Sequence, residues 1–140
     1  MAVLTTPRST IRIDPDARHR LPVAAAMLIY QGALVALNAT GFASKGVVAT
    51  TLKQFGRAEE TVDNSAGAAG AKEINVQPGV FRWANSAAGD LITTAEIGTD
   101  CFIVDDQTVA KTNGTSTRSR AGKIVGVDSS GVLVQMGPQY

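Results

Sequence analysis

The chain has one cysteine, one histidine, few aromatic residues (5%) and little charge (18%), and each shortage excludes something. A single cysteine, Cys101, forbids an internal disulfide. With His19 as the one histidine, no zinc set built from those two residue types can be assembled. A net charge of +1 argues against a nucleic-acid binder, because phosphate neutralisation supplies most of such a protein's affinity. No run approaches the ~20 consecutive apolar residues of a membrane helix. The stretch Leu21 to Leu37 is interrupted by Pro22, Gln31 and Gly32. No basic cluster leads directly into an apolar run near the N-terminus, so no signal peptide is expected and synthesis in the cytoplasm is.

What remains is Val, Ile, Leu and Ala with 14 glycines, in a chain of 140 residues. That length suggests one domain with a modest core, too short for two full ones. The composition fits short strands and tight turns better than a helical bundle. Ala33 to Leu37 reads as a buried strand, followed by a turn at Asn38-Ala39-Thr40-Gly41. Phe42 to Thr51 reads as extended, and Gln54 to Glu60 as a further strand. Val23 to Met27 fits a short strand or a turn of helix equally. Residues 63–71 form a loop of small residues. Glu73 to Gln77 alternates, with Ile74 and Val76 on one face. Past the Pro78-Gly79 kink, Val80, Arg82 and Ala84 share one side, and Phe81 and Trp83 the other. Thr93 or Thr94 caps one short helix that Gly98 ends. Cys101 to Val104 is a strand, Asp105 to Gln107 a turn, and Thr112 to Arg120 a polar loop with a tight turn at Asn113-Gly114. Lys123 to Val127 and Val132 to Met136 form a hairpin over Asp128-Ser129-Ser130-Gly131. The expected fold is mainly β: a small antiparallel barrel or sandwich, β-tulip-like, with one short helix.

Residues 1–22 differ from the body, residues 23–140. They hold Pro7, Pro15 and Pro22, together with Arg8, Arg12, Arg18, Arg20 and His19. Proline removes a backbone donor and biases its predecessor to extended geometry, so neither a long helix nor a central strand fits. The segment reads as an extended N-terminal arm, either a solvated tail or one that orders on a partner. Ile11 and Ile13 flanking Arg12 alternate as a strand does, and a purely solvated tail has no need of them.

Chemistry is sparse. His19 sits between two arginines in the arm, a poor place for a general base. Cys101 leads an apolar run and packs as a small apolar group. Asp105-Asp106, even with Asp100, lacks calcium-loop spacing and fits a turn. Glu59-Glu60 reads as a surface pair. Gly67-Ala68-Ala69-Gly70 lacks the Gly-Lys-Ser/Thr ending of a phosphate loop, since Glu73 follows Lys72. Ser116 to Arg120 is a small basic loop of the kind usually solvated. Trp83 is expected as a core anchor, with an interface role, such as within a trimer, as the alternative. No catalytic, cofactor or metal residue is assigned, and no enzyme activity is expected.

Several stretches together resemble a known family. They are Val80-Phe81-Arg82-Trp83-Ala84-Asn85-Ser86, Cys101 through Ala110, and Arg118 through Asp128 running into Gly131-Val132. Ile29 to Leu37 and Gly56 to Asn64 extend the match to roughly residues 21–136. This is similar to small proteins of tailed phages and prophages, encoded beside the major capsid protein in Mu-like phages and described as capsid decoration, cement or minor head proteins. The resemblance implies a homotrimer on the outer capsid surface of a virion assembled in a bacterial cytoplasm. It implies a major capsid protein of the HK97-type fold as partner, with neither membrane nor direct nucleic-acid contact. No residue-level binding motif transfers with it. Arg8, Ile11, Arg12, Ile13, Arg18 and Arg20 are the arm's candidate capsid-binding residues from the residue reading alone. The rival readings are a tail-tube or head–tail joining subunit, a ligand-binding β-barrel, and a nucleic-acid-binding small barrel.

Overall fold

A computed structural model describes residues 2–140. Its twelve strands are β1 (His19–Pro22), β2 (Met27–Ile29), β3 (Leu34–Leu37), β4 (Ala43–Lys45), β5 (Lys53–Ala58), β6 (Val62–Asn64), β7 (Glu73–Gln77), β8 (Gly79–Asn85), β9 (Asp100–Ile103), β10 (Thr108–Ala110), β11 (Arg120–Asp128) and β12 (Gly131–Met136). Five of them form an open sheet in the order β1-β7-β5-β3-β4. Five more close into a barrel, β10-β8-β12-β11-β9, and β2 pairs with β6. Closure leaves those five strands without a free edge. The expectation of a mainly β barrel holds. The barrel is not wholly antiparallel, however: β10 joins β8 in parallel, with Thr108 opposite Ala84. Short β10 lies between β8 and β9, and this one joint shuts the ring.

Burial divides between two apolar clusters, where one modest core was expected. One fills the barrel with Trp83, Ile92, Ile103, Ile124, Val134 and Met136 among others. The second lies under the open sheet, around Ile29, Phe55, Ile74 and Val76. Strand β3 serves both. Leu34 and Ala36 pack in the barrel cluster, while Val35 and the partly buried Leu37 pack in the other, joined by Ala33 just before the strand. Successive side chains on a strand point to opposite faces, so a strand covered on both sides must be apolar throughout. That is why residues 33–37 carry no polar group. Each fully buried Ile or Val contributes about 1.5–3 kcal/mol relative to exposure.

Side chains also bridge the two parts. The Arg57 guanidinium of β5 lies 4.7 Å from the Phe81 ring centroid of β8, and Phe81 stands 6.1 Å from Trp83. Gln54 of β5 bonds the backbone of Gly137, just past β12.

Local expectations hold where turn chemistry or alternation was strong. In β7, Ile74 and Val76 are buried. In β8, Trp83 is buried while Val80, Arg82 and Ala84 are exposed. Thr93 caps a single 3-10 turn, Thr94–Glu96, in a capping box with Glu96. A second such turn, Ala88–Asp90, was not foreseen. Of the extended stretch expected at 42–51, only β4 pairs. The ambiguous segment 23–27 resolves into a bridge, a turn and the start of β2.

Candidate functional site

The segment read as an arm has two parts. Residues 2–18 carry neither strand nor helix, and residues 2–16 are all exposed. Residues 19–22 are β1, the edge of the open sheet, paired antiparallel with β7 so that His19 faces Val76 and Pro22 faces Glu73. Pro22 ends that edge strand, where a missing donor is tolerated. The candidate arm residues divide accordingly. Ile11 and Ile13 are 84% and 68% exposed, as are Val3 and Leu4 at 86% and 71%. Arg8 and Arg12 form no ion pair among the described residues. Arg18 lies 3.8 Å from Glu59, and Arg20 lies 3.7 Å from both Glu60 and Glu73. These two arginines belong to the body's surface network rather than to the free arm. Glu59 is correspondingly not a plain surface carboxylate: its side chain is only 16% exposed, and Arg57 reaches it at 2.8 Å.

His19 is held in β1, edge-on to the Phe55 ring at 5.1 Å. Cys101 lies inside the barrel with no exposure, and burial pushes its thiol up to about 12 from an ordinary 9.0. A thiol so placed is inert as a nucleophile at neutral pH. Trp83 is 5% exposed in the barrel core, and its indole N–H donates to the Met136 sulfur at 3.2 Å.

The loops that drew chemical comparison are committed to the fold. Gly67 N–H donates to Asn64 O, Gly70 N–H to Val23 O and Ala71 N–H to Ala68 O. These amides are used internally and do not converge on a phosphate. Asn64, buried, clamps this loop by donating to the carbonyls of Ala24 and Ala68, both at 3.0 Å. Asp105 takes the Gln107 N–H at 2.9 Å and shapes a turn. Asp100 faces Arg120 at 2.8 Å. Arg118 binds Asp90 at 3.1 Å, so the two arginines of the basic loop are both paired. Thr112 and Arg118 together hold the Asp90 carboxyl below the usual carboxylate range.

The surface clefts are shallow. One of about 480 Å³ runs between Arg20, Glu60, Asp63, Lys72 and Glu73, mixing both charge signs. Another, about 380 Å³, lies beneath Pro138 and Tyr140 against Leu37, Leu52 and Arg120. Neither brings together a nucleophile and a base. No cluster of three or more metal-ligating side chains occurs among the described residues. The candidate site is therefore the exposed arm on its β platform.

One contact at the arm escaped the sequence reading. The last residues, Gln139 and Tyr140, reach back to Pro15 and Asp16 at the arm's root. Nothing in either segment signals a partner more than a hundred residues away.

No protein family, curated protein or solved structure matches this chain.

Proposed function

We propose that this chain is a capsid decoration (cement) protein of a tailed phage. It acts by adhesion: it binds as a trimer to the outer surface of a head built from an HK97-type major capsid protein. The observation that carries the reading is the arm. Four large apolar side chains, Val3, Leu4, Ile11 and Ile13, are the most exposed of their kind in the described chain and lie outside both apolar clusters. Ile11 and Ile13, two positions apart as on one face of a strand, suit pairing with the open sheet edge of another protein, where backbone hydrogen bonds give affinity and alternate side chains give specificity. Arg8 and Arg12, lacking ion-pair partners among the described residues, suit bidentate contacts with acidic groups there. The string resemblance over residues 21–136 supports the identity of the partner.

A cement protein ties neighbouring capsomers together. Three arms per trimer give three tethers, and linkage can raise avidity by ~10²–10⁴ over one grip. The closed barrel and the sheet beside it form the base from which those tethers extend.

The test is sedimentation of the full chain, and of a chain lacking residues 1–14, with expanded heads. Shell-wide density in electron micrographs together with loss of binding on deletion is the expected result. Undiminished binding of the shortened chain rejects the arm's role. Density along the tail axis would favour a tail-tube or joining subunit.

A further inference from the structure

The root of the arm is tied down twice. One tie is β1 on β7, four residues long, at the edge of the open sheet. The second comes from the opposite end of the chain. The Gln139 side-chain amide donates to Pro15 O at 2.7 Å and to the Asp16 carboxylate at 3.3 Å. The Tyr140 hydroxyl donates to the same carboxylate oxygen at 3.2 Å. Gln77 of β7 also donates to Asp16 O. The tail that supplies Gln139 and Tyr140 is itself fastened. Gln54 brackets Gly137 with two hydrogen bonds of 2.7 and 2.8 Å, and Arg120 donates to Tyr140 O at 3.0 Å.

We propose that the segment Gly137–Tyr140 is a latch that fixes the root of the N-terminal arm at Pro15 and Asp16. The arm's free part then starts at Asp14, where an Asp14-centred turn takes the N–H groups of Asp16 and Ala17. A pull on residues 2–14 reaches the open sheet through β1 and the barrel through the tail and β12, so β1 does not carry it alone. A hydrogen-bonded clasp between exposed segments is also reversible, and its release would let the arm swing from β1 instead. The inference holds whatever the arm binds, because it concerns the isolated chain.

Amide hydrogen exchange on the full chain tests it, with two variants that touch opposite sides of the clasp. Asp16→Ala removes the carboxylate that accepts from both Gln139 and Tyr140, leaving Pro15 O as the remaining acceptor. The double variant Gln139→Ala with Tyr140→Phe removes the donors and keeps the ring. In both, amides 16–18 should exchange about tenfold faster, while those of β8 and β12 keep their protection. Unchanged exchange at 16–18 in either variant overturns the latch. Loss of protection across β8 and β12 alongside 16–18 also overturns it, since the tail would then be part of the barrel's own stability.

Discussion

Gln54 and Gly137, 83 positions apart, exchange two hydrogen bonds: the Gln54 amide N–H donates to Gly137 O at 2.7 Å, and Gly137 N–H donates to Gln54 Oε1 at 2.8 Å. The side chain thus imitates a neighbouring strand's backbone and seals the join between the open sheet and the barrel. Removing it leaves a buried donor and a buried acceptor unpaired. Gln54→Ala should cost about 2–4 kcal/mol, read by urea unfolding. Gln54→Glu, which keeps the acceptor and loses the donor, should also destabilise.

Gly131 closes the β11–β12 hairpin at φ 147°, and a Cβ there would stand 2.3 Å from the Trp83 carbonyl oxygen. Gly131→Ala meets fixed backbone rather than a yielding side chain. A loss of about 2–4 kcal/mol is expected, because β12 must move away from β8. Thermal unfolding would measure it, and Ser130→Ala next door should change little.

The buried thiol of Cys101 makes stability fall in alkali. Its value is about 12 when folded, against an ordinary 9.0. Above pH 9 the unfolded chain releases this proton and the folded chain keeps it. Unfolding is therefore favoured by up to about 1.4 kcal/mol per pH unit between 9 and 12. Cys101→Ala should be less stable than the parent at pH 7 through lost packing, yet show a flatter decline from pH 9 to 11. A disulfide reagent should label Cys101 at pH 8 only in denaturant.

At the acid end, Asp90 reports on the loop at 112–118. The Thr112 hydroxyl and the Arg118 guanidinium hold its carboxyl below the ordinary 3.8. The stabilising contribution is present above the unfolded value and is lost as pH falls through the folded one. Stability should therefore decline below about pH 4. Asp90→Asn should flatten that limb of the curve, as monitored by Trp83 fluorescence.

On the arm, Ile11→Asp with Ile13→Asp changes side chains that are mostly exposed and belong to neither apolar cluster. Unfolding free energy should stay within about 0.5 kcal/mol of the parent. Binding to expanded heads should weaken by at least tenfold, through lost apolar contact repeated in each subunit. Co-sedimentation at graded concentrations would read this directly.

What was legible in the sequence was whatever rests on neighbours along the chain. The apolar run at 33–37, the alternation in 73–77 and 80–84, the Thr93 cap with Gly98, and the hairpin over 128–131 are local signals of burial or turn geometry. The parallel joint between β10 and β8 is not local, for three-residue β10 has no pattern of its own. The split into two cores was hidden for a related reason: alternation tells which residues share a face, not that each face has a separate cluster waiting. His19 to Pro22 reads as arm by composition, and pairing with β7 overrides that. At the candidate site, the exposed isoleucines were visible because their placement is anomalous. The engagement of Arg18 and Arg20 was not, since it depends on glutamates brought in by β5 and β7. Gln139 and Tyr140 carry no hint of Asp16 at all.

Because β3 lends alternate side chains to both apolar clusters, it is a partition wall common to two rooms. Neither room can be emptied while the other stays furnished, so heat should unfold the whole body in one calorimetric transition rather than two. Enlarging Ala36, on one side of that wall, should then lower the single melting temperature as felt by probes placed on either side.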